Sequence, residues 1–176
     1  TDKSAIAPEE VKAIVADLKS DFDYILLDCP AGIEQGFANS VAGADEAIVV
    51  STPEISAVRD ADRVVGLLEQ ADLDEPPMLI INRIKKRMVN DGTMMDVDEI
   101  THHLSIKLIG IVFDDDEVIG TSNKGEPIVL NEKSPASKGY RNIARRLEGQ
   151  TVPLMTLKES DESGFFGKIA SWFQKK

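Results

Sequence analysis

The chain is short of several residue types, and each scarcity excludes a class of protein. A single cysteine, Cys29, rules out an internal disulfide. No apolar run reaches the ~18 residues that would span a bilayer as a helix, and no charged-then-apolar leader opens the sequence, so a cytoplasmic protein is expected. Positive charge is sparse: 20 Lys and Arg against 31 Asp and Glu leave a net charge of -11. Such a body is not drawn to nucleic acid or to an anionic surface by long-range attraction, and any such contact has to be local. Aromatics make up only 5% of the chain, yet the single Trp and half of the six Phe fall in the last stretch, Gly164 to Lys176. With 176 residues, 42% of them hydrophobic, one sizeable core and one domain are expected.

The sequence opens at Thr1 without an initiator Met and enters a helix signal at Pro8-Glu9-Glu10, where Pro suits the first helical position and acids suit the first turn. It reads as an internal starting point. Short apolar runs then alternate with helical patterns. Phe22 to Asp28, Ala47 to Ser51, Met78 to Asn82 and Leu108 to Val112 read as strands. Their apolar residues are consecutive rather than alternating, the pattern of parallel strands buried on both faces. Helices are expected at Pro8 to Leu18, Ile55 to Gln70, Val97 to His103 and Ser137 to Leu147. The second of these has Thr52-Pro53-Glu54 as cap, first position and first-turn acid, and turns Val58, Val64, Val65, Leu67 and Leu68 toward the sheet. The fold class is therefore α/β, a mostly parallel doubly wound sheet. Lys158 to Ser163 is charged and free of apolar residues, a linker to a separate terminal unit.

Ligands of open α/β sheets bind beyond the carboxyl ends of the strands. Two endings stand out. Tyr24-Ile25-Leu26-Leu27-Asp28 ends in a carboxylate and turns through Pro30 and Gly32. Asp28 is placed to hold a phosphate-bound Mg2+ directly or through water, and Gly32 to let backbone N-H approach a terminal phosphate; the alternative is a turn or cap role for Asp28. Leu79-Ile80-Ile81-Asn82 ends in an amide, which suits an adenine edge or, equally, turn chemistry.

From "YILLDCPAGIE" through "PEISAVRDADR", "INR" and "SNKGEP" to a terminal amphipathic helix, in that order, the sequence resembles the MinD family of bacterial septum-site ATPases, in its Gram-positive type. The family belongs to the deviant P-loop class, and the resemblance implies a P-loop NTPase sheet that is incomplete at the N-terminus. It implies residues 1–157 as the C-terminal part of the ATPase domain, 158–163 as linker and 164–176 as a membrane-targeting helix. It makes Asp28 the Walker B-type carboxylate near Mg2+, Gly32 part of the γ-phosphate switch, Asn82 the adenine-recognising amide, and Asp114 and Asp115 the segment closing over the base. Ser56, Asp60 and Asp62 match positions that receive partner proteins; their spacing alone reads as a solvated helix face. ATP and Mg2+ as cofactors, an ATP-dependent homodimer, and division-inhibitor and topology-factor partners are further implications, with localisation on the inner face of the membrane. Two departures matter. Phe113 stands where many members have Pro, and nothing fits G-x-x-x-x-G-K-[ST]: Gly167-Lys168 is followed by Ile169, and Gly120 to Gly125 holds no Gly-Lys pair. Without that cradle the chain by itself is expected not to hydrolyse ATP.

At about 100° per residue, Phe165, Phe166, Ile169, Trp172 and Phe173 fall within an arc of roughly 120°, while Lys168 and Lys175 lie on the other side. An aromatic stripe flanked by lysines behind a charged linker suits a helix lying in the headgroup region; the alternative is a helix docked on its own domain. One such tail is marginal against its ordering cost, and two in a dimer bind far more tightly. Lys85-Lys86-Arg87 reads as a solvated loop or, alternatively, a nucleic-acid patch of the chromosome-partition type, which would leave the tail unexplained. A non-catalytic membrane-tethered scaffold is the other alternative. Adjacent His102 and His103 cannot share a metal unaided, and Cys29 reads as a small buried side chain.

Overall fold

The computed structural model describes residues 6–30, 32–33 and 35–157. Three parallel strands lie side by side in chain order: β1 (Ile48–Ser51), β2 (Met78–Ile84) and β3 (Lys107–Phe113). β3 is an apolar run buried over most of its length, whereas β1 alternates exposed and buried residues. β1 and β2 pair in simple register from Ile48 opposite Met78 to Ser51 opposite Ile81. Between β2 and β3 the register slips, Leu79 facing Leu108 but Ile80 facing Gly110, so Ile109 is an extra residue in β3.

Helices α1 (Pro8–Leu18) and α2 (Gln35–Ala42) precede the sheet, α3 (Ile55–Leu68) links β1 to β2, α4 (Lys86–Asn90) and α5 (Val97–Leu104) link β2 to β3, and α6 (Asp116–Asn123) and α7 (Pro135–Leu147) follow. The core has two parts. On one face Val58, Ala61, Val65 and Leu68 of α3 and Ile100 and Leu104 of α5 pack with Leu79, Ile81, Ile84, Ile111 and Phe113. On the other, Ala136 and Ile143 of α7 pack with Ile109, Val112 and Ile128. α7 sits unusually close to β3 because both sides of the contact are glycine: a Cβ at Gly110 would lie 2.2 Å from Ile143 Cγ1, and one at Gly139 2.8 Å from the Ile111 carbonyl oxygen. The end of α5 is set by a reciprocal cap, Asp96 Oδ1 accepting from Glu99 N at 2.8 Å and Glu99 Oε2 from Asp96 N at 3.0 Å.

Several expectations are corrected. Phe22 to Asp28 forms no strand: no neighbouring strand supplies ladder hydrogen bonds among the described residues, and Leu26 is 88% exposed. Cys29, on the same uncovered stretch, is exposed rather than buried. α3 is capped at Glu54, not Thr52, with no side-chain hydrogen bond, and Leu67 turns outward while Ala61 takes a buried place. β1 is covered on one face only, leaving Val50 59% exposed, because α7 lies over β3 and no described helix reaches across. Lys86 and Arg87 begin α4 rather than lying in a loop. Residues 158–163 and the tail positions Phe165, Phe166, Lys168, Ile169, Trp172, Phe173 and Lys175 lie outside the described residues.

Candidate functional site

The carboxyl ends of β2 and β3 bring Asn82 and Asp114 together through one residue between them. Asn82 Oδ1 accepts from Arg83 N at 2.9 Å, and Arg83 has φ of 59°, the left-handed region that costs a non-glycine residue ~1 kcal/mol or more. In this conformation Arg83 Nε reaches Asp114 Oδ1 at 3.4 Å, while Lys85 Nζ stands 3.6 Å from Asp114 Oδ2. Asp114 N donates to the Ile84 carbonyl at 3.0 Å, which holds the two strand ends at a fixed spacing. The carboxylate is thus kept between two cations, and the Asn82 amide keeps its two N-H donors and a second oxygen lone pair for a planar heterocycle edge. Arg83 carries no signal in the sequence that would announce its backbone conformation. Lys85 was legible only as charge.

Asp115 is engaged differently. Its Oδ1 accepts from Glu117 N at 3.0 Å, capping α6, and its Oδ2 accepts from Ser134 Oγ at 2.6 Å. Ser134 in turn accepts from Ser137 N at 3.1 Å and caps α7. Asp115 therefore ties the starts of α6 and α7 behind the strand end.

Asp28 is exposed, and no hydrogen bond or ion pair among the described residues joins it to the Asn82 end. Gly32 is exposed with φ of 103°, and nothing lies within 4 Å of a Cβ built on it, so the backbone angle rather than space requires glycine there. On α3, Ser56, Asp60 and Asp62 are all exposed. Ser56 and Asp60 are one turn apart and share a side, Asp60 standing 3.7 Å from Arg63 Nη1. Asp62 lies about 200° round from Asp60, on the opposite flank of the buried stripe.

The residues present fit a nucleotide unevenly. The β2 and β3 ends suit a base edge. The phosphates and Mg2+ find no glycine-rich backbone cradle in the sequence, and among the described residues no three His, Cys, Asp or Glu are grouped to hold a metal ion.

A family model described as cellulose biosynthesis protein BcsQ matches residues 2–143. The septum site-determining protein MinD of Bacillus subtilis is 59% identical over 173 residues, 98% of this chain and 64% of the relative. The chain belongs to the MinD family. The BcsQ description names another process, but curated relatives matched over nearly all of this chain are septum-site proteins. A MinC:MinD cell-division complex from Aquifex aeolicus superposes with a TM-score of 0.81 and 45% identity over 86% of this chain and 63% of that one. The Pyrococcus furiosus cell-division ATPase MinD gives 0.70 and 25% over 81% of this chain and 58% of that one. The parallel sheet with flanking helices is that of these proteins. The MinD-like chain spans about two-thirds of the length of the relatives it matches.

Proposed function

We propose that this chain is the base-recognising, partner-binding and membrane-attaching part of a MinD-type ATPase that positions the division septum. The observation that carries the reading is the linkage of Asn82 to Asp114 through Arg83 at the carboxyl ends of β2 and β3, in a chain whose curated relatives are septum-site proteins. Asn82 presents its amide to adenine, and Asp114, steadied by Arg83 and Lys85, orders the segment that closes over the base. Asp115 fixes that segment from behind. Asp28 accepts the Mg2+ side of the nucleotide through water, and Gly32 supplies a backbone N-H near the terminal phosphate.

The ATP-bound homodimer belongs to the full-length protein, whose phosphate-binding loop this chain does not contain. Because this chain contains no lysine-bearing glycine loop, it binds and orients but does not hydrolyse. Ser56 and Asp60 offer a shared exposed surface to a division inhibitor, in line with the MinC:MinD assembly of the Aquifex relative, and Asp62 offers a second contact to a topology factor. The aromatic stripe of 164–176 attaches the dimer to the inner, anionic face of the membrane. Lys85 is already paired with Asp114, which weakens the nucleic-acid alternative.

The test compares ATP binding and hydrolysis by the 176-residue chain and by a version extended upstream to the relatives' length, with anionic vesicles present. Turnover and ATP-dependent vesicle binding are expected of the extended version alone. Hydrolysis by the short chain would overturn the assignment of a missing cradle. Loss of vesicle binding in Phe166→Glu with the fold intact is expected from the tail; unchanged binding removes the membrane role.

A further inference from the structure

One guanidinium joins three parts of the chain: the end of α7, strand β3 and the segment that follows the helix. Arg146, in the last turn of α7, donates from Nη1 to the Ile109 carbonyl at 2.8 Å, from Nε to the Val152 carbonyl at 2.9 Å, and from Nη2 to the Pro153 carbonyl. Ile109 is the residue that the register slip in β3 leaves over, and β3 is an edge strand, so its carbonyl takes a donor from outside the ladder. Gly149, with φ of 77°, turns the chain back after α7, and Gln150 N closes on the Arg145 carbonyl at 2.9 Å. The segment that follows has no regular secondary structure. Its Val152 and Pro153 lie with Arg146 on the α7 side, whereas Met155 is buried in the core on the α3 and α5 side and Leu157 packs against that same core. Residues 151–157 therefore pass from one face of the sheet to the other beside Ile109. Burial lowers the pKa of Arg146 from its ordinary value by desolvation, as expected for a cation spent on carbonyls rather than on water.

We propose that Arg146 is the positioning residue for the membrane tail, clamping residues 151–157 around β3 so that the linker starts at a fixed point at Leu157. The proposal rests on the membrane role given to 164–176. With the clamp closed, the leash to the tail is residues 158–163; with it open, the leash begins at Gly149. Effective concentration in a two-tailed particle falls roughly as the -3/2 power of leash length, so opening the clamp weakens two-tailed attachment about fourfold and leaves single-tail attachment unchanged. A side chain that merely stabilised the fold would not separate those two quantities.

The single exposed cysteine, Cys29, allows the test on the chain as it is, cross-linked into dimers by a bismaleimide. Arg146→Met, which keeps the stem and loses the donors, is expected to speed amide exchange at Met155 and Leu157 at least tenfold while Leu79 and Ile81 stay protected. Its dimer is expected to bind phosphatidylglycerol-containing vesicles about fourfold more weakly than the wild-type dimer, with the two monomers equal. Arg146→Lys keeps the charge without the planar fork and is expected to loosen the strap to an intermediate degree, which serves as the reading where the Met variant does not fold. Unchanged exchange in either variant, full protection in the Lys variant, a wild-type dimer no tighter than its monomer, or a Met dimer as tight as wild type overturns the clamp. Phe166→Glu monomers that still bind vesicles would sink the membrane reading instead, and the exchange data would stand apart from it.

Discussion

The two edges of the sheet are finished in opposite ways. Beside β3, α7 presses in at Gly110 and Gly139, Arg146 takes up the spare carbonyl, and residues 151–157 wrap across to bury Met155. Beside β1, no strand or strap is present among the described residues; Val50 and Ile48 face outward, and the apolar stretch from Phe22 to Leu27 runs unpaired with Tyr24 and Leu26 exposed. Among the described residues, eight of the fourteen large apolar side chains that stay exposed lie within the first 50 positions. The same kind of sequence, a consecutive apolar run, thus gives a buried strand where a neighbour exists and a bare ribbon where none does. Strand character resides in the pair, not in the run.

That contrast can be broken from its strongest side first. Ile81→Ala, at a fully buried position of the central strand, is expected to cost about 2–5 kcal/mol, read as a lowered urea midpoint. Gly139→Ala drives a methyl group against the Ile111 carbonyl and is expected to cost about 1–3 kcal/mol by the same measure, with α7 displaced from β3. Ser134→Ala removes the cap of α7 and the partner of Asp115, for an expected loss of about 1–2 kcal/mol. On the open side, Val50→Lys is expected to change stability by no more than about 0.5 kcal/mol while reducing concentration-dependent light scattering, since a charge on a bare edge resists strand addition. A large loss of stability there, with scattering unchanged, would mean that the β1 side is as well supported as the β3 side and that the contrast is false.

Much of this was legible in the sequence where local signals agree with their surroundings. α1, α5 and the three paired strands fall where periodicity and caps place them, because Asp96, Glu99 and the Pro8 turn act over a few residues. α2 and α6 escaped: "QGFANSVA" carries glycine and asparagine, and "DEVIGTSN" has little apolar periodicity, so both helices depend on what they pack against. The strand ends at Asn82 and Asp114 could be named in advance, since the residue types sit at the close of apolar runs. Their connection through Arg83 could not, because a left-handed arginine is a property of the assembled turn. Arg146 likewise reads as an ordinary basic last turn; its partners lie on a slipped strand register and on a segment beyond the helix.

The order of the strands has a consequence in time. β1, β2 and β3 are neighbours in the same order as they occur in the chain, so each ladder forms between consecutive segments as they leave the ribosome, with only one helical connection to close per step. Residues 151–157 are synthesised last of the described residues, and their carbonyls need Arg146 of α7, itself held on β3, already in place as donor. Completion of the sheet is then a precondition for seating the strap, and an unfinished nascent chain does not yet present its aromatic end from a settled root.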